Sequence, residues 1–171
     1  MITMEALQTA IKLRDTYNNN DFPLPTRVLN TCELLASRNQ ILAQDITATF
    51  DIPRQNLSAM DGYAIAHGSD ISNDSIIQII GESQAGSAYT GELTAGQGVR
   101  IFTGAVVPDS CDTVIMQENT NFAAIRDSID KSKPYTVTLS QTAQIDSNIR
   151  KQGEEIESGE AVLKVGKRLN A

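Results

Sequence analysis

The spacing of apolar positions changes about a third of the way along the chain. Ala6, Leu7, Ala10, Ile11, Leu13 and Tyr17 recur at three- and four-residue spacing, which predicts a helix over residues 3–17 with one apolar face and Thr3 as its N-cap. Asn18-Asn19-Asn20-Asp21 stops it, and Phe22-Pro23-Leu24-Pro25 reads as an extended linker, because a residue before proline is pushed out of the α region. Val28 and Leu29 predict a short strand. Thr31 then caps a short helix near 31–38 through Leu34, Leu35 and Ala36, with Asn39 as its left-handed C-terminal residue. Ile41 to Ile46 reads as a strand, and Thr47, Thr49 and Phe50 carry the chain to Asp51-Ile52-Pro53.

Beyond that point the period falls from 3.6 to about 2, which places a domain boundary there. Tyr63–Ala66, Ile76–Ile80, Val99–Thr103, Thr113–Gln117 and Tyr135–Leu139 read as strands, and Gly81, Gly86, Gly91, Gly96 and Gly98 punctuate the turns between them. Short strands at close spacing predict a barrel-like or coiled sheet rather than a βαβ fold, so the class is α+β, mostly β. Gly96-Gln97-Gly98 precedes a strand instead of following one, so it is not a dinucleotide-binding turn. The last thirty residues return to the style of the first fifty, with turns at Gly153-Glu154-Glu155 and Glu157-Ser158-Gly159 and a strand over 161–165.

Composition narrows the chemistry. A chain of 171 residues holds one or two domains, and its 40% hydrophobic content contains no run near the ~20 apolar residues of a membrane helix. No basic-then-apolar leader opens it, so a cytoplasmic protein is expected. The net charge of −7, without a Lys/Arg cluster, argues against nucleic acid and acidic membrane surfaces. Cys32 and Cys111 have no CxxC partner and read as reduced, apolar thiols. His67 is the sole histidine, which leaves no material for a histidine zinc site or a Ser/His/Asp triad. A bound metal would have to be a hard cation on oxygen ligands, such as magnesium.

The densest run of candidate chemistry is Pro53 to Ala64. Pro53 ends a regular element, small Ser58 and Ala59 follow polar residues, and Asp61-Gly62 is a turn signal in which glycine takes positive φ. One reading is a β-turn with a solvated carboxylate; the other is a carboxylate held on a rigid turn and aimed into a cleft. Thr103-Gly104 has the same two readings, an ordinary strand end or a hydroxyl and backbone N–H groups that cradle an oxyanion. Arg100 could meet an anion bidentately, but strand alternation favours a structural role.

Ser58-Ala59-Met60-Asp61-Gly62-Tyr63-Ala64 resembles the signature of the molybdopterin molybdenumtransferase family, MoeA and the gephyrin E domain. Arg100-Ile101-Phe102-Thr103-Gly104-Ala105, Asp112 to Glu118 and Gly153-Glu154-Glu155-Ile156 follow in that family's order. The resemblance implies that the chain ends pair into a discontinuous linker or dimerisation domain, 1–51 plus 141–171, and that 52–140 is an inserted β domain. It implies Asp61, Thr103 and Glu155 as catalytic residues, Ser58, Gly62 and Gly104 as cofactor-binding residues, and Asp61 with Glu155 as ligands of Mg2+.

The activity it implies is insertion of molybdenum from molybdate into adenylylated molybdopterin with release of AMP, in a homodimer fed by a molybdopterin adenylyltransferase. Family members also carry an α/β pterin-binding domain, which is expected to be missing here, so the chain alone is expected to be inactive. Two departures matter. Asn39-Gln40 stands where the family has Gly-Arg, and Glu155 where it has Asp, which moves the charge by about one carbon–carbon bond. A non-catalytic dimerisation or scaffold module is the alternative. A carbohydrate- or peptide-binding β domain is disfavoured by the 5% aromatic content and the lack of tryptophan.

Overall fold

The computed structural model describes residues 36–130 and 132–170 in full, together with the backbone of strands β1 (Ile11–Arg14) and β2 (Thr26–Leu29). The chain divides into two compact units, Met1–Ile52 with Glu155–Ala171, and Pro53–Glu154.

In the first unit β1 pairs antiparallel with β2 and with β3 (Ile41–Leu42), while β4 (Ile46–Thr47) pairs with β12 (Ala161–Leu163). Asp45 fastens the second ladder, since its Oδ1 accepts the Val165 N–H at 2.7 Å and its Oδ2 accepts from Lys164 Nζ at 3.2 Å. Ile11–Arg14 is therefore a strand where a helix over 3–17 is expected. Ile-Lys-Leu-Arg also alternates apolar and basic, so a period of 2 fits these four residues; all four pair with β2 on one edge, and Leu13 and Arg14 pair with β3 on the other. The rest of that predicted helix lies outside the described residues, as do 31–35 of the second. Asn39 sits at φ 67°, the left-handed turn its residue type suggests.

The second unit is built on a five-stranded sheet in the order β10-β7-β8-β6-β9. These strands are β6 (Gly62–Ala66), β7 (Ile76–Ser83), β8 (Gln97–Ile101), β9 (Cys111–Met116) and β10 (Tyr135–Thr138). All neighbours are antiparallel except β7 and β8, which run parallel. Interior strand β6 is buried throughout, because Tyr63 and Ile65 enter one apolar cluster with Ile77, Ile79, Ile115 and Val137. Ala64 and Ala66 enter the other, with Val99, Ile101, Ala105 and Val114. Both faces being covered explains why this strand lacks the polar alternation of a half-wet one.

The structure corrects one expectation and adds two features to the sequence reading. The sheet is open among the described residues, ending at β10 and β9, so no closed barrel forms. Strand β7 reaches β8 through residues 84–96 and pairs parallel, which a strand-by-strand reading does not anticipate. Residues 141–154 belong with the sheet, not with the terminal unit: β11 (Ile149–Arg150) pairs with β5 (Leu57–Ser58), and Ala143 packs against the Tyr63 cluster. Between β9 and β10 the chain also makes a short helix α1 (Phe122–Ile125), flanked by 3-10 turns. Among the described residues no helix is long and apolar enough to cross a membrane.

Candidate functional site

Asp61 precedes β6 and Thr103 follows β8, and because β6 and β8 are antiparallel neighbours with Gly62 opposite Ile101, the two ends meet. Gly62 starts its strand without positive φ, contrary to the turn expectation; its lack of a side chain serves close approach instead. A Cβ there would lie 1.9 Å from the Ile115 carbonyl oxygen on β9, well inside contact distance. Gly104, by contrast, does take positive φ, at 80°.

Asp61 and Thr103 are bonded twice. Asp61 Oδ1 accepts the Thr103 backbone N–H at 2.8 Å and the Thr103 Oγ1 hydroxyl at 2.7 Å. Those two donors, the backbone one foremost, and the nearby positive charge of Arg100 hold the Asp61 carboxyl below its ordinary value of 3.8. The residue is exposed, and among the described residues Oδ2 takes no hydrogen bond. The result is an ionised carboxylate with one oxygen anchored and the other facing solvent.

The turns around it are stitched by backbone. Gly104 N–H donates to Ser58 O at 2.8 Å, Ser58 N–H to Ala105 O at 2.9 Å, and Ala105 N–H to Phe102 O at 2.9 Å. With the Thr103 N–H on Asp61, the amides of 103–105 are all engaged, so the expected oxyanion cradle at Thr103-Gly104 is not formed by them. Ser58 is 1% exposed, and its hydroxyl donates to Met60 O at 2.6 Å. In this arrangement it shapes the Asp61 turn from inside.

Arg100, one register position from the turn, reaches Gly62 O with one terminal nitrogen at 3.1 Å and Gln117 Oε1 with the other at 2.6 Å. Its guanidinium carbon lies 5.2 Å from the ring centre of Tyr63 and 5.0 Å from those of Phe102 and Phe122. Gln117 closes the circuit, its N–H donating to Asp61 O at 3.1 Å. A cavity of about 480 Å³ opens beside Arg100, lined by Phe102, Phe122, Arg126, Lys133 and Tyr135; Asp61 and Thr103 do not line it. Gln117 is a site residue that sequence reasoning missed, because a polar strand-end residue carries no signal of what it bonds.

Glu155 lies in the other unit, where its backbone N–H donates to Ile52 O at 2.9 Å. The sheet unit thus brings together Asp61, Thr103, Gly62, Gly104 and Ser58. Among the described residues no three His, Cys, Asp or Glu side chains gather as a metal cage. One ionised oxygen suits a cation that keeps most of its waters and takes one or two carboxylates, which is how magnesium binds. Cys111 is buried and unpaired, and burial pushes its thiol up to about 12, so it is an inert packing residue.

Known proteins share much of this sequence and fold. Residues 4–171 match the family described as the MoeA N-terminal region (domain I and II). A molybdopterin molybdenumtransferase of Haemophilus influenzae is 35% identical over 148 residues, spanning 86% of this chain and 33% of its own length. One from Staphylococcus epidermidis is 37% identical over 139 residues, spanning 79% of this chain and 31% of its own. A crystal structure of the molybdopterin biosynthesis MoeA protein of Pyrococcus horikoshii superposes with a TM-score of 0.66 at 25% identity, covering 98% of this chain and 39% of that one. The chain therefore spans about a third of the length of the relatives it matches. Matched along nearly all of its length, it belongs to the family of MoeA N-terminal regions.

Proposed function

We propose that this chain supplies the Asp61 side of a site that inserts molybdenum from molybdate into adenylylated molybdopterin and releases AMP. The observation that carries the reading is the Asp61 carboxylate, fixed through Oδ1 by both donors of Thr103 while Oδ2 stays exposed. A group held this way meets a reactant without first reorganising, which is where positioned groups gain most of their effect. Asp61 would help hold Mg2+, which supplies charge neutralisation to phosphate oxygens when bound, and Glu155 is kept as a separate candidate ligand. Thr103 keeps the Asp61 carboxylate ionised and aimed, Gly62 lets the strands close beneath it, and Gly104 and Ser58 set the path of the two turns.

Relatives named molybdopterin molybdenumtransferase support the reaction class. We place on residues 1–171 only part of the site, expect no turnover from them alone, and assign the functional form to a cytoplasmic homodimer supplied by a molybdopterin adenylyltransferase. The unit built from both chain ends is the proposed linker and dimerisation domain. The test is a chimera in which this chain replaces the matching stretch of the Haemophilus influenzae protein. With adenylylated molybdopterin, magnesium and molybdate, AMP release within about tenfold of the parent supports the reading. A folded, dimeric chimera that releases none would leave the chain as a scaffold module.

A further inference from the structure

The Asp61–Thr103 pair joins two loop residues, and nothing in those two residues alone fixes how far apart the strand ends β6 and β8 stand. That spacing is set from one side by Arg100. Its two terminal nitrogens bond Gly62 O on β6 at 3.1 Å and the Gln117 side chain beyond β9 at 2.6 Å. Gln117 in turn donates its backbone N–H to the Asp61 carbonyl at 3.1 Å, so the two successive carbonyls that follow the Asp61 Cα, those of Asp61 and Gly62, both end on the same Arg100–Gln117 circuit. Tyr63, Phe102 and Phe122 surround the guanidinium carbon at 5.0–5.2 Å, which fixes where the planar head sits. Among the described residues no carboxylate lies within ion-pair distance of Arg100, so its hydrogen bonds go to neutral acceptors, the Gly62 carbonyl and the Gln117 side chain.

We infer that Arg100, acting through Gln117, is a positioning residue for Asp61: a clamp across three strand ends that holds the carboxylate under the Thr103 donors. The inference rests on the role proposed for Asp61 but makes a structural claim of its own. Lysine cannot replace arginine here, because a single ammonium cannot span two acceptors in a plane while filling the space between three rings. The Gln117 side chain is the second half of the clamp, and its loss leaves the aromatic surroundings of Arg100 in place.

The test is amide hydrogen exchange of the whole chain, read at Thr103, in Arg100→Lys and Gln117→Ala. Protection of the Thr103 amide, which donates to Asp61, is expected to fall at least about tenfold in both, while amides in the middle of β6, such as Ala64, keep theirs. If Arg100→Lys does not fold, Gln117→Ala carries the same readout. Thr103 protection unchanged in Gln117→Ala, or lost only together with that of Ala64, would overturn the clamp. In the chimera, Arg100→Lys is expected to lower kcat about 10- to 100-fold with little change in KM, as for a displaced reacting group. Loss of Thr103 protection with an unchanged kcat would uphold the clamp and remove Asp61 from the reaction.

Discussion

Strand β6 is bounded by two side chains that do similar work with different results. At its start Asp61 is tied across to the end of β8; just after it His67 is tied to the neighbourhood of β9. His67 Nδ1 lies 2.9 Å from Asp112 Oδ2, and Nε2 lies 3.1 Å from Asp109 O, so both ring nitrogens face acceptors and the doubly protonated ring satisfies both. The His67 end consumes all of its polar capacity inside the protein. The Asp61 end leaves one charged oxygen to solvent, and that unspent capacity separates a candidate functional group from a structural stitch. Exposure alone does not, since both residues are exposed.

Gly62→Ala breaks the comparison most severely, because a Cβ 1.9 Å from a backbone oxygen forces β6 and β9 apart under Asp61. A loss of about 2–4 kcal/mol in urea unfolding is expected, together with loss of activity in the chimera. Asp61→Asn keeps an acceptor for Thr103 but removes the charge, and should cost about 100-fold in AMP release with the melting temperature nearly unchanged. Thr103→Val removes the hydroxyl donor at 2.7 Å and keeps the backbone one, for an expected loss of about tenfold.

The smallest effects separate the two ends by sign of pH dependence. The Asp112 carboxylate and the Asp109 carbonyl raise His67 above its ordinary 6.5. Its contribution is therefore complete below that value and is lost as pH rises through the folded-state value. Asp61 is lowered, so its contribution is present above the ordinary carboxylate value and is lost as pH falls through the folded-state one. His67→Gln should flatten the mildly alkaline limb of a plot of stability against pH by less than about 1 kcal/mol, and Asp61→Asn should flatten only the acid limb.

How much of this was legible in the sequence depends on how local each cause is. Asn39 reads correctly because left-handed backbone is a property of one residue, and the strands from Ile76 to Val137 read correctly because alternation is carried in a few neighbours. The helix expected over 3–17 meets a strand at Ile11–Arg14, where two periods fit the same residues and pairing with distant strands decides. The parallel β7–β8 pairing, which goes with an open sheet, is likewise non-local. At the site, the Asp61 and Thr103 motifs mark two residues that the fold brings into contact. The engaged amides of 103–105, the clash that reserves Gly62 and the Arg100–Gln117 circuit are contacts between segments, visible only once the strands are in register.

The most direct test of the central claim is AMP release by the chimera carrying Asp61→Asn, measured beside His67→Gln in the same background. A fall of about 100-fold for the first and less than about twofold for the second is the result expected of a carboxylate held for a reactant. Equal rates for the two variants, in dimers of equal stability, would make Asp61 one more stitch in the sheet.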